Sequence, residues 1–174
     1  MKVAILTISF FYAFIFHFKA QNKEQKWTAG ISLAGSKYTY NSRILVYVSP
    51  RFNMSRHIFK GLILDLAFAT RLGGEENYTT LDGALRYDFD RSNYNVVPYI
   101  LIGTSFLKGK VITGTANLGV GNTFWFSPKL GMNLQVMYKI LKDNIDTQKS
   151  HIYPSVGLVY SFSHRILNPR LWDN

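Results

Sequence analysis

Apolar residues alternate with small or polar residues along most of the chain after its N-terminal segment. The clearest run is 155–162, where Val156, Leu158, Tyr160 and Phe162 alternate with small residues such as Gly157. Successive side chains of a β-strand point to opposite faces, so this run predicts a strand with one apolar and one thin, mildly polar face.

The same alternation recurs in eight segments separated by polar turn residues. Their approximate spans are 26–34, 43–52, 61–70, 78–89, 95–106, 112–125, 130–141 and 150–162, with connections centred near residues 38, 56, 74, 91, 109, 128 and 145. Regular short strands of this kind, with no helical segment between them, predict an all-β domain. The fold class we predict is an eight-stranded antiparallel up-and-down transmembrane β-barrel.

The two faces of the predicted strands indicate which side meets lipid. The polar face carries charges in mid-strand, namely Arg51, Asp65, Asp82 and Arg86, and consists otherwise of small residues and amides. Asp88 is a further expected interior charge. The apolar face carries no charge within the strand centres, where a charge facing lipid would cost about 2–4 kcal/mol. This pattern favours lipid outside and a filled polar interior. A soluble lipocalin-type barrel, with its apolar face inward, is the alternative.

Aromatic residues lie at the predicted strand ends, as in the interfacial girdles of membrane barrels. One rim is expected to carry Trp27, Phe52, Phe89, Phe124, Phe126 and Phe162, and the other Tyr40, Phe68, Tyr78 and Phe106. Proline lacks a ladder donor, so Pro50, Pro98 and Pro154 are expected at bulges or frayed rims.

The N-terminal segment has the pattern of a secretory signal peptide. Lys2 precedes an apolar run from Val3 to Phe18, and Ala20 is a candidate cleavage position. The predicted organisation is a signal peptide at 1–20, an outer-membrane barrel at 21–162 and a short periplasmic tail at 163–174. An uncleaved anchor is the alternative for the first segment.

The net charge and the absence of cysteine limit which partners and which kinds of site the protein can have. The chain has a formal net charge of +10 and no cysteine, so disulfides and thiolate metal sites are excluded. Loss of Lys2 and Lys19 with the signal peptide would leave a basic protein. Because export argues against nucleic acid, we expect outer-membrane lipids and lipopolysaccharide phosphates as counterions.

The chain resembles the small outer-membrane barrels of the OmpA/OmpX type, in the version common in Bacteroidetes. Ser155, Gly157, Tyr160 and Phe162 match the terminal assembly signal of that family. The resemblance implies a bacterial outer-membrane location and recognition of the last strand by the outer-membrane insertion machinery. It does not extend to the peptidoglycan-binding domain of OmpA, so that activity is not implied.

Candidate chemistry is sparse. The interior charges could form a gate or a proton path, or a plug that fills a barrel too narrow for a pore. Ser150 and His151 could form a nucleophile and base, but no acidic residue at fixed spacing would orient the histidine. His57, His151 and His164 lack metal-ligand spacing. We therefore expect no enzyme activity, no metal and no cofactor.

These observations predict a structural or interaction protein of the cell envelope. One form of that role is a subunit of a larger outer-membrane assembly with a protein partner. A small-solute channel is the first alternative, followed by a lipid-modifying enzyme. A soluble periplasmic ligand-binding barrel is the remaining one.

Overall fold

The computed structural model describes residues 27–40, 43–71, 79–89, 95–108, 112–141 and 150–164, with side chains except at 36–40 and 43–47. These residues form eight strands: β1 (Trp27–Tyr40), β2 (Arg43–Phe59), β3 (Leu62–Thr70), β4 (Thr79–Asp88), β5 (Val96–Lys108), β6 (Ile112–Trp125), β7 (Leu130–Leu141) and β8 (His151–Ser161). Each strand pairs antiparallel with the next, and β8 pairs with β1 to close a barrel. The predicted fold class is confirmed. The predicted signal peptide and most of the tail lie outside the described residues.

Pairing around the barrel is strongly staggered. The cross-strand partners of Thr28 lead in turn through Ser55, Asp65, Ala84, Gly103, Asn117 and Lys139 to His151. Ala34 pairs with Ser155 in the closing ladder, so the row that began at Thr28 meets β1 again about ten residues further along that strand. This stagger is that of barrels whose strands tilt by about 35–45°. Eight strands enclose an interior that side chains can fill.

Two strands are longer than the sequence predicts. β1 continues to Tyr40 and β2 to Phe59, so the connections expected near residues 38 and 56 were wrong. The polar residues Asn53, Ser55 and His57 resemble a turn in sequence, but they alternate along the inner side of β2.

The turn between β2 and β3 is formed by Lys60 and Gly61. Their φ angles of 40° and 85° are both positive, as a two-residue type I′ hairpin turn requires. The Gly61 N–H donates to His57 Nε2 at 3.3 Å, and the Asp88 N–H donates to the Gly61 carbonyl at 2.9 Å. The turn is therefore fixed from inside the barrel and by the end of β4.

The three strand prolines lie where one of their two ladders ends. Pro50, Pro98 and Pro154 pair with Leu33, Asn122 and Val136, respectively. On the other side, the last pair of each ladder involves the residue that follows the proline in sequence. The stagger of the strands thus supplies a free edge for each missing N–H. The bulges expected at the prolines are not needed, and the register shift in the described ladders lies between His57 and Phe59.

Burial alternates along every described strand, and the apolar set faces outward. Large exposed residues such as Ile102 (61% exposed) and Phe106 (62%) occupy the outer wall, whereas the charged residues face the lumen. This arrangement is the reverse of a soluble lipocalin-type barrel and matches a lipid-facing wall. Within the described ranges, no helix is long and apolar enough to cross a membrane.

Aromatic residues cluster at the rim where β1 begins and β8 ends. Trp27, Phe89, Phe124, Phe126 and Phe162 lie at or just beyond the strand ends there. Tyr87 and Tyr160 add edge-to-face contacts with Phe89 and Phe162, at centroid distances of 5.5 and 5.4 Å.

The placement of Phe52 at this rim was wrong. Phe52 pairs directly with Phe68, which the sequence assigned to the opposite rim. Because β2 extends further than predicted, Phe59 occupies the rim position instead. Phe106 lies near the opposite end of β5, whereas the Tyr40 side chain and Tyr78 lie outside the described residues.

Candidate functional site in the barrel lumen

The predicted lumenal charges all lie inside the barrel. Arg51, Asp65, Asp82, Arg86 and Asp88 are each buried, and they come from three adjacent strands, β2, β3 and β4. Lys139 of β7 is also buried in the lumen, and the sequence prediction did not include it in the network. Its signal was a lysine flanked by the outward residues Tyr138 and Ile140. With Lys139, the buried charges of the described lumen comprise three cations and three carboxylates.

An ion-pair cluster centred on Asp82 crosses the lumen. It is called the upper cluster because it lies further from the rim where β1 begins. Its Oδ1 lies 2.7 Å from Lys139 Nζ, which reaches across from β7, and its Oδ2 lies 3.7 Å from Arg51 Nε on β2. The Arg51 Nη2 also lies 3.6 Å from Asp65 Oδ2. The Lys139–Asp82 pair joins β7 to β4 across the lumen, and the Arg51–Asp82 pair joins β2 to β4, whereas Arg51 and Asp65 lie on neighbouring strands.

Hydroxyl groups and an aromatic ring complete the upper cluster. The Ser55 and Thr80 hydroxyls donate to Asp65 and Asp82, each at 2.6 Å. Lys139 Nζ also donates to the Thr80 oxygen at 3.2 Å and lies 4.2 Å from the centroid of the Tyr153 ring. Hydrogen bonds and a cation–π contact of this kind offset the cost of burying charge.

A lower cluster is organised around Arg86. Its Nε and Nη2 donate to the two carboxylate oxygens of Asp88 at 2.5 and 3.0 Å. This bidentate pair comes from one strand, because residues two apart face the same side. The guanidinium carbon lies 3.8 Å from the centroid of the Tyr99 ring, and Nη2 lies 3.3 Å from Thr123 Oγ1.

Glycine at 121 makes room for Tyr99. A Cβ on Gly121 would overlap the phenol end of Tyr99. The Tyr99 hydroxyl lies 3.0 Å from Asn133 Oδ1 and 3.1 Å from Gln135 Oε1, to either of which it can donate. The tyrosine therefore spans the lumen from β5 to β7.

Apolar residues separate and close these clusters. Trp125, Val97 and Val159 pack together near the rim that holds the chain ends. A second cluster, which includes Leu101, Leu107 and Met137, fills the interior further up. The described lumen thus contains paired charges, amides, hydroxyls and apolar side chains in alternation.

The candidate nucleophile Ser150 and the candidate base His151 have different neighbours. Ser150 Oγ accepts a hydrogen bond from the Leu141 N–H at 3.1 Å. His151 is buried in the lumen, pairs with Lys139 across the β7–β8 ladder and lies edge-on to Tyr153 at 6.5 Å between ring centroids. In the described part of the chain, no group of three histidine or acidic residues is arranged to hold a metal ion.

The residues of the predicted assembly signal lie along β8 and its end. Ser155 faces inward, Tyr160 faces outward and Phe162 follows the strand. Gly157 lies at the closing seam, where it pairs with Ser32. A Cβ there would overlap the Ile31 carbonyl and Ser32, so Gly157 has a packing reason independent of any recognition.

Comparison with known proteins identifies the fold. No family model matches the chain, and no curated protein sequence does. Among solved structures, the chain is similar to Neisserial surface protein A, with a TM-score of 0.64 at 14% identity over 78% of this chain and 97% of that one.

Two proteins of Pseudomonas aeruginosa have the same architecture. The N-terminal β-barrel domain of OprF matches with a TM-score of 0.60 at 12% identity, over 78% of this chain and 97% of that one. The outer-membrane protein OprG matches with a TM-score of 0.61 at 10% identity, over 82% of this chain and 98% of that one. The predicted outer-membrane location agrees with these matches, and the chain has the fold of the small eight-stranded outer-membrane β-barrels of bacteria, the OmpA/OmpX type.

Proposed function

We propose that this protein is an integral outer-membrane barrel with a structural or interaction role in the cell envelope. The observation that carries the proposal is the set of side-chain contacts that cross the lumen. Asp82 is paired with cations from β2 and β7, and Trp125 packs with two valines toward one end. Because the side chains inside the barrel are held by these contacts, the outer wall, the rims and the loops are the surfaces left for interaction.

The fold alone is compatible with several roles. Its structural neighbours include a surface protein, and also the attachment invasion locus protein of Yersinia pestis, a 14% identical match with a TM-score of 0.57. We propose a role as a subunit of a larger outer-membrane assembly, with lipopolysaccharide and the insertion machinery as further partners. The sequence resemblance to the small outer-membrane barrels common in Bacteroidetes supports a Bacteroidetes-type barrel.

The competing proposal is a small-solute channel, which the buried charges would gate. Planar-bilayer recording of the purified protein distinguishes the two roles. We expect no stepwise ion current, and none after Arg86→Ala, because residues of several strands occupy the lumen in addition to Arg86. Discrete current steps that change with Arg86→Ala would replace the structural proposal with a channel.

A partner would be found by crosslinking in native membranes followed by purification of the barrel. We expect a protein recovered in fixed stoichiometry with the parent chain. Absence of any such protein, together with measurable conductance, would favour the channel. A lipid-modifying activity is the third possibility, and an altered lipid A mass spectrum in cells that produce the protein would support it against our proposal of a non-enzymatic barrel.

A further inference from the structure

Arg51 is held differently from the other two buried cations of the described lumen. Lys139 Nζ lies 2.7 Å from a carboxylate oxygen of Asp82, and Arg86 forms a bidentate pair at 2.5 and 3.0 Å. The carboxylate contacts of Arg51 are longer, at 3.6 and 3.7 Å. An N–H···O hydrogen bond places its two heavy atoms about 2.7–3.2 Å apart. Both contacts of Arg51 are therefore ion pairs without a direct hydrogen bond.

The longer contact joins Arg51 Nε to Asp82 Oδ2. Both atoms are buried, and neither has a hydrogen-bond partner in the described lumen. The other oxygen of Asp82 already accepts from Thr80 and Lys139. An unpaired charged donor beside an unpaired charged acceptor is costly in a protein interior. This arrangement indicates a group between the two atoms that hydrogen-bonds to both.

A third unpaired group lies on the same side of the same strand. Ser49 precedes Arg51 by two residues on β2, so both side chains point into the barrel. Its Oγ is buried and also has no hydrogen-bond partner in this part of the lumen. The cross-strand neighbours of these two residues are short: Ala34 and Ser32 on β1, and Ala69 on β3. Short side chains at these positions favour space beside Arg51 for a small molecule.

The charges around this space select the kind of molecule. A cation would be repelled by the Arg51 guanidinium, and an anion would be repelled by the Asp82 carboxylate. Arg51 Nε offers a proton, Asp82 Oδ2 accepts one, and the Ser49 hydroxyl can do either. Water combines donor and acceptor in a small volume, and a buried water typically makes about three hydrogen bonds. The three unpaired atoms match that requirement.

We propose that one ordered water molecule is bound between Arg51 and Asp82 as a fixed part of the upper cluster. It accepts a hydrogen bond from Arg51 Nε and donates to Asp82 Oδ2 and to Ser49 Oγ. Because Lys139 contacts the same carboxylate from β7, hydrogen bonds then run from β2 to β7 through Asp82. The inference rests on the lumenal contacts of the proposed function, and it makes this water a structural component of the barrel.

Nuclear magnetic resonance of the intact barrel in lipid nanodiscs tests the site. With isotope-labelled arginine, we expect a cross-peak between the Arg51 Nε–H and water. Its sign should be opposite in nuclear Overhauser and rotating-frame spectra, which separates contact with a long-lived water from proton exchange. The Arg86 Nε–H is the internal control, because it donates to Asp88 and should show no such peak. Arg51→Lys identifies the Arg51 resonance by its loss.

Two serine variants test the geometry of the site. Ser49→Ala removes one partner of the water, so the cross-peak should lose intensity. Ser161→Ala is the matched control, since Ser161 is an inward serine whose hydroxyl donates to the Ser163 carbonyl, and it should leave the peak unchanged. Heat-dependent mobility in electrophoresis reports whether each variant is folded.

Three results would overturn the site. The first is the absence of the Arg51 peak in the parent, the second is an equal peak at Arg86, and the third is an unchanged peak in folded Ser49→Ala. Bilayer recording separates this inference from the proposed function. Ion current with the water peak present would refute the structural role and leave the site in place, whereas the absence of both would refute the site alone.

Discussion

Leu81 and Asp82 are neighbours in β4, yet they belong to two surfaces with opposite requirements. Leu81 is 53% exposed on the outer wall, whereas Asp82 is 3% exposed and contacts cations from two other strands. The outer surface requires only apolar character, which many side chains provide, because lipid adapts to their shape. The inner surface requires particular partners, because a buried charge or a misplaced atom has no solvent to compensate it.

The largest expected effect is at Asp82. Asp82→Ala leaves Lys139 fully buried without its carboxylate, and removal of one partner of a buried ion pair costs about 3–5 kcal/mol. Leu81→Met should change the free energy of unfolding by less than about 1.5 kcal/mol, because an apolar side chain of similar volume still meets lipid there. Urea unfolding in phospholipid vesicles, followed by tryptophan fluorescence, measures both.

A second substitution identifies the cause. In Asp82→Ala/Lys139→Met the stranded ammonium is gone, so most of the lost stability should return. If the double variant is as unstable as Asp82→Ala alone, charge burial is not the cause, and the requirement on the inner surface is one of shape.

Glycines give a comparison of the two surfaces without charge. Gly121→Ala would push into Tyr99 and lie 2.6 Å from the Leu134 carbonyl, so a loss of about 1–3 kcal/mol is expected from overpacking. Gly83→Ala faces outward, where its nearest contact is Leu66 Cδ2 at 3.8 Å, and should be nearly neutral. The same unfolding measurement applies.

Tyr99→Leu tests the contact proposed for Gly121. Removal of the ring takes away both Tyr99 atoms that a Cβ at 121 would overlap, so Gly121→Ala/Tyr99→Leu should lose less stability than the sum of the single variants. Strict additivity would mean that the Leu134 carbonyl, rather than Tyr99, sets the requirement for glycine.

The smallest expected effect concerns a turn that belongs to neither surface. Lys60 has a positive φ, so Lys60→Asn should stabilise the barrel by about 1 kcal/mol through relief of backbone strain. Unfolding curves at equal lipid composition would measure the gain. A loss of stability would show that the Lys60 contact with Phe59 outweighs the strain. The turn would then contribute to stability through the outer surface.

Alternation was the reliable part of the sequence. It correctly separated the inward Arg51, Asp65 and Asp82 from the outward residues beside them, because strand periodicity is a local property of the backbone. Strand ends were less predictable. The polar run around Ser55 was mistaken for a turn, since a lumenal polar residue and a loop residue are alike in one dimension. Phe52 was misplaced as a consequence.

The sequence by itself determined the all-β class, the number of strands and their two faces, because these depend on the two-residue alternation of side chains along a strand. It also determined that the apolar face is outside, because that depends on the free energy of transferring each side chain from water to lipid. Only the tertiary structure decided which charges pair, that Lys139 reaches Asp82 across the lumen, and that stagger frees an edge at each proline. Those features depend on register and closure. Closure pairs Thr28 with Ser161 at opposite ends of the barrel sequence, and Lys139 reaches Thr80, 59 positions away. No local pattern encodes such distances.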